Sequence, residues 1–198
     1  MQHANGMGLV GQLEIHFMEA DINTKPEIIQ HLLNEDDHYP NNPSLPLLIY
    51  KNVFRLPKKS PAAYIENIFE KNDWKNTWRD DIFTYHHYHS NSHEVLGAFG
   101  GHCIVQFGGD HGITEELRSG DVVIIPAGVA HKKIAGEQFK CVGAYPGGAD
   151  YNTRFGAAGE AEAAKSEIAQ VALPTTDPVF GKDGPMRMYW LRLVDSFN

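Results

Sequence analysis

Short apolar runs separated by turn formers dominate the chain from residue 81 onward. Segments 82–89, 94–97, 102–107, 113–117, 122–126, 131–134 and 139–145 each read as a strand bounded by glycine, proline or charged residues. Gly108-Gly109-Asp110 suits a hairpin turn between two of them. Upstream, LPLLIYKNVF at 45–54 predicts a further strand, apolar enough to feed a sheet or, equally, a subunit contact. Two stretches switch to helical spacing. Ser60 and Pro61 supply a cap and a first-turn proline for a helix near 61–71, with Ile65, Ile68 and Phe69 as its apolar face. Alanines mixed with Glu and Lys predict another near 159–171. Thr24 and Pro26 can start a short helix through Ile29, or the segment is an extended arm, since Pro40, Pro43 and Pro46 follow. A last strand is expected at 188–194.

Seven short strands at this spacing predict an all-β fold: a single jelly-roll antiparallel β-barrel with flanking α-helices. The expected division is an N-terminal arm over 1–44, partly flexible, the barrel over 45–150, and a C-terminal helix and tail over 151–198 packed on it. Residues 1–24 have no clean period, and part of them is read as a leader, with no role for His3 or His16. Trp74 and Trp78, four apart, are expected to pack together on a loop or turn, as a hydrophobic plug or as a surface on which a substrate stacks.

Composition narrows the classes of function. At 198 residues the chain can bury a core as one domain. A formal net charge of −8 argues against nucleic acid, which needs clustered Lys and Arg. No apolar run approaches the roughly 20 residues of a membrane helix, and no secretory signal is visible, so no membrane partner is expected. Two cysteines, Cys103 and Cys141, do not make a disulfide framework, and a cytoplasmic location is expected. Apolar surface at 45–54 and the prolines before it predict a homodimer with these segments at the contact.

The chemistry concentrates in TYHHYHSNSHEVLGAFGG, residues 84–101, where four of the eleven histidines fall between His86 and His93. In an extended strand His87 and His89 share a face, while His86 and Tyr88 take the other. Ser90, Asn91 and Ser92 form a turn, and the returning chain brings the Glu94 carboxylate opposite the two imidazoles. Two imidazoles and a carboxylate are metal-ligand chemistry; the same cluster could also be polar surface or hydrogen-bonded core. The stretch Gly120–His131 favours the former, because Pro126 ends a buried strand, Gly128 permits a tight turn and His131 opens the next strand as a fourth ligand.

Together these stretches resemble the paired motifs of the cupin superfamily. The first, G-x5-H-x-H-x3-4-E-x6-G, is matched by His87, His89, Glu94 and Gly101, with Asp81 in place of its first glycine. The second, G-x5-P-x-G-x2-H-x3-N, is matched by Gly120, Pro126, Gly128 and His131, with Ala135 in place of its asparagine. Phrases such as PNNPSLPLLIY, VGAYPGG and DPVFGKDGP extend the likeness to the YjlB-type bacterial cupins. The resemblance implies a single cupin barrel in which His87, His89, Glu94 and His131 hold one divalent transition metal: iron, zinc, nickel, manganese or cobalt.

On that basis the expected function is a mononuclear metalloenzyme, dioxygenase-like or isomerase- and epimerase-like, acting on a small organic molecule. The alternative is a non-catalytic cupin that binds or senses a small ligand around a structural metal. Tyr85 and His93 are the weak catalytic candidates. Tyr85 shares the parity of His87 and His89, so it projects beside the metal or is one more core aromatic; His93 is a pocket-rim group or a further ligand. Tyr145, Gln106, Lys132 and Arg79 are pocket candidates, and Cys103 reads as a buried hydrophobe rather than a catalytic thiol.

Overall fold

The computed structural model describes residues 22–195, so the expected leader, His3 and His16 lie outside the described residues. Seven strands, β1 (Glu27–Leu33), β2 (Asn42–Lys51), β3 (Trp74–Asp80), β4 (Glu94–Phe107), β5 (Ile113–Arg118), β6 (Val122–Ile125) and β7 (His131–Pro146), are joined by helix α1 (Pro61–Lys71) between β2 and β3 and followed by α2 (Glu160–Ile168) and α3 (Pro185–Asp195). The strands pair antiparallel in the order β1-β2-β6-β4-β7-β3, with β5 on β4.

The unbroken apolar runs in β2 and β6 follow from burial on both faces, which alternation alone would not produce. Leu47, Ile49, Val123 and Ile125 point into the barrel with Leu96, Val105 and Phe107. Leu48, Tyr50, Val122 and Ile124 point the other way, under Ile65 and Phe69 of α1 and Trp190 of α3. Gly97 sits beneath α1: a Cβ there would meet Ile65 Cγ2 at 2.7 Å and Phe69 Cζ at 2.9 Å. Asp177, fully buried, anchors the start of α3 by accepting bonds from the Tyr50 hydroxyl (2.6 Å) and the Met186 amide (3.0 Å).

Several elements differ from the sequence reading. Residues 27–33 take the extended alternative, as a strand, rather than the short helix: Ile28 and Ile29 pack towards opposite clusters while the segment pairs with β2, so the sheet edge overrides the capping signal. The expected strand 188–194 is α3, because Met186 and Trp190 are both buried at a spacing of four. Segments 94–97 and 102–107 fuse into β4, and 131–134 and 139–145 into β7, each bent rather than broken at its glycines. Residues 82–89 form no ladder. His87 exchanges backbone bonds with His131 and Tyr88 with Arg154, so successive residues bond to different segments.

Trp74 and Trp78 lie on β3 and go to different clusters, Trp74 fully buried beneath the helices and Trp78 against the barrel interior. Ser60 precedes α1 in a left-handed conformation without a side-chain cap. The run expected at a subunit contact is consumed within the chain: Leu47 to Tyr50 are fully buried and β2 is paired on both sides.

Candidate functional site

The first strand residue of β4 and the first of β7 meet at one end of the barrel. Glu94 shares its inward parity with Leu96 and Ala98. His131 is set beside His87 by their reciprocal backbone bonds of 3.2 and 3.0 Å, and the His89 carbonyl accepts the Gly128 amide at 2.8 Å. Gly128 is required for that turn: its φ is +92°, and a Cβ would collide with the Asn41 carbonyl.

The four side chains are buried, from 6% exposed at His87 to 1% at His131. His89 Nε2 and His131 Nε2 each lie 3.4 Å from Glu94 Oε2. The His87 ring centroid is 4.2 Å from that of His131 and 5.8 Å from that of His89. The far nitrogens of two rings face carbonyls, His89 Nδ1 that of Asn152 and His131 Nδ1 that of Val129. Such contacts hold the Nδ1–H tautomer and leave Nε2 with its lone pair on the side of Glu94 Oε2. Glu94 Oε2 and His87 Nδ1 are buried without a hydrogen bond.

Glu94 Oε1 is held differently. It accepts a 2.8 Å bond from the Tyr145 hydroxyl, which in turn accepts the Trp78 indole N–H at 2.8 Å. Gly143, opposite Trp78 on β7, leaves the space the indole occupies; a Cβ there would run into the ring. Burial penalises the Glu94 charge, but the neighbouring His89 and His131 outweigh it and hold its carboxyl well below the usual range. Burial likewise opposes charge on His89, yet Glu94 keeps its pKa above the ordinary value. At His87 the same Glu94 charge compensates too little, and burial with the like charge of His131 lowers it to about 3.

These groups form the floor of a cavity of about 270 Å³ whose walls include Trp78, Ile82, Phe83, Leu96 and Tyr151. The structure therefore brings His87, His89, Glu94 and His131 together, and Tyr145 with them. Tyr85 is not inside the barrel. It is 51% exposed and stacked on Phe83 at 4.9 Å, because the irregular backbone of 82–86 turns it outward. His93 is buried on the other side of the sheet, where Nδ1 accepts the Ala127 amide and the ring packs on Trp190; it is neither a ligand nor a rim group.

The remaining candidates divide. Arg79 reaches the wall but its guanidinium is held by Glu66. Gln106 and Lys132 bond to Asp110, away from the cavity. Cys103 is buried in the barrel core, its thiol pushed up to about 12 by burial and the nearby Asp81. Sequence reasoning missed Asn152 and Tyr151. Asn152 orients His89 through its carbonyl and clasps the 90–92 turn, its side chain accepting the Ser90 amide and its amide bonding Asn91. Tyr151 packs on His89 at 4.9 Å and stacks on Tyr145 at 4.1 Å. Both follow the last strand in a loop with no motif of its own.

The cupin family model matches residues 85–148. A protein of Bacillus subtilis named "Uncharacterized protein YjlB" is 42% identical over 159 residues, 80% of this chain and 93% of that protein. Solved structures with local likeness include the coconut allergen cocosin, 23% identical over 40% of this chain and 23% of that one, with a TM-score of 0.34. Another is an acireductone dioxygenase from Bacillus anthracis with cadmium in its active centre, 19% identical over 42% of this chain and 57% of that one, TM-score 0.33. Scores this low pass no chemistry from those proteins to this one. The extended sequence match, the antiparallel barrel and the paired motifs at its mouth establish that the chain belongs to the cupin family.

Proposed function

We propose that His87, His89, Glu94 and His131 hold one divalent transition-metal ion, and that the protein is a metalloenzyme acting on a small organic molecule in the cavity above it. The observation that carries this reading is Glu94 Oε2. It is buried, accepts no hydrogen bond, and faces the Nε2 atoms of two imidazoles at 3.4 Å. With Nδ1 of each ring turned to a carbonyl, neutral imidazoles would point lone pairs at a carboxylate, an arrangement a cation between them relieves. Three nitrogens and one carboxylate oxygen suit iron, zinc, nickel, manganese or cobalt.

The chain's own residues divide the work. The Asn152 and Val129 carbonyls fix two rings, and Tyr145 occupies Oε1 so that Glu94 presents the other oxygen. Trp78, Phe83 and Tyr151 wall the cavity and limit water around it. A divalent ion bound there supplies Lewis acidity to a substrate oxygen, and iron adds reactivity towards dioxygen. A cytoplasmic setting is part of the proposal, supported by two free, buried thiols.

Metal content measured side by side in two variants tests the ligand set. His89→Ala should lose most of the ion, whereas His86→Ala, whose ring packs on Tyr39 on the opposite face, should keep it. Equal loss in both, or none in either, would overturn the assignment.

A further inference from the structure

We infer that this cavity selects a small, flat, uncharged aromatic molecule carrying oxygen donors. Two exposed aromatic side chains line it, Phe83 (47% exposed) and Tyr151 (40%), and two more, Tyr85 (51%) and Phe155 (54%), carry the aromatic surface on from Phe83. Phe83 and Tyr85 are stacked with planes 16° apart, and Phe155 lies 5.8 Å from Tyr85. Two of the four continue inward. Phe83 sets its ring edge-on to His87 at 4.9 Å, and Tyr151 lies against His89 at 4.9 Å, stacked on Tyr145. The aromatic wall thus runs from solvent to two of the four central side chains.

Apart from Glu94 and the histidines at the floor, the charged groups lining the same cavity are already matched. Arg79 is bound to Glu66, Asp81 to Lys133, and Asp80 to Lys140 at 3.4 Å. A charged ligand finds no unmatched charge among these three side chains, and a chain of net charge −8 gives an anion no long-range attraction. What the walls offer is ring surface, which rewards flat π-systems in offset or edge-on contact. The volume, about 270 Å³, sits just under the usual ~300–1,000 Å³ of ligand pockets and so admits a single small ring better than a fused system. The oxygen donors follow from the metal reading above and rest on it; the preference for a ring does not.

Calorimetry on the full chain, metal-free and cobalt-loaded, tests this with catechol under argon, cyclohexane-1,2-diol as its saturated counterpart, and malonate as an anionic oxygen donor. Catechol should bind both forms, at least about 10-fold more tightly than the diol, with malonate weakest. Phe83→Ala/Tyr151→Ala should remove most of that preference, and Phe83→Leu, which keeps an apolar side chain without a ring, should lose part of it. Both positions are partly exposed, so these variants should fold, which circular dichroism checks. Equal affinity for catechol and the diol, stronger binding of malonate, no catechol binding, or an unchanged preference in the double variant would each overturn the inference. So would concentration-dependent self-association of the wild type that the double variant abolishes, since the collar would then be a contact between copies. Failure of cobalt to bind the wild type would instead sink the metal reading, and the metal-free titration would still judge the ring preference.

Discussion

Tyr145→Phe isolates one oxygen atom at the centre. The ring is 1% exposed and would stay in place, so packing is nearly unchanged. What is lost is the donor to Glu94 Oε1 and the acceptor for the Trp78 indole, both at 2.8 Å. A hydrogen bond to a charged acceptor contributes about 1.5–3 kcal/mol, and the indole left without an acceptor adds up to a further ~1 kcal/mol. A net loss of about 2–3 kcal/mol in chelator-treated protein is expected, or roughly 4–12 °C in Tm for a chain of this size. Metal affinity should fall by about 10–100-fold, the usual effect of removing a group that orients a ligand. Trp78→Phe should cost less alone and add little to Tyr145→Phe, since both cut one chain of bonds. Thermal melts at pH 7 and competition with a chelator dye read the two effects. A Tyr145→Phe variant within about 0.5 kcal/mol of wild type, with unchanged metal affinity, would mean that Glu94 is held by something other than Tyr145.

Three further outcomes are expected. Gly97→Ala should cost about 1–3 kcal/mol in urea melts, because its methyl would press into Ile65 and Phe69 under α1; an unchanged midpoint would mean α1 shifts freely. Burial lowers His87, and likewise His93, to about 3, so the unfolded chain binds more protons than the folded one between that value and the ordinary ~6.5. Metal-free protein should therefore hold this stability above about pH 6.5 and lose it steadily towards about pH 3; a flat profile across that window would contradict it. We also propose a homodimer, now through the outer edge of β1, where Leu32 is 52% exposed, rather than through β2; light scattering showing a monomer at micromolar concentration would refute it.

The four central residues were legible in the sequence because their placement depends on local rules. Parity in extended chain puts His87 and His89 together, and motif glycines and prolines fix where β4 and β7 begin. Parity also turned His93 away from Glu94. It failed at Tyr85, where the backbone of 82–86 leaves the extended form to bond with β7 at Phe83. The elements left open or misread, β1, β3 and α3, are short segments whose choice is made by what they pack against: the free edge of β2 for the first, β7 for the second, the floor beneath Trp190 for the third. Asn152 and Tyr151 were illegible for the same reason. Their roles depend on where a loop lies, 63 residues on from His89 in the case of Asn152, and spacing alone carries none of that.

The clasp between the 90–92 turn and the loop at 150–154 sets a limit on how this centre can be moved. Ser90 bonds Asn152, Arg154 and Glu167, and Arg154 bonds Glu167 in turn. All three partners lie beyond residue 148, where the family match ends. A fragment cut at that boundary would keep every strand and all four central side chains, yet His89 would lose the carbonyl that aims it. Grafting the centre onto another barrel would likewise require carrying α2 along, as a splint for an imidazole it never touches.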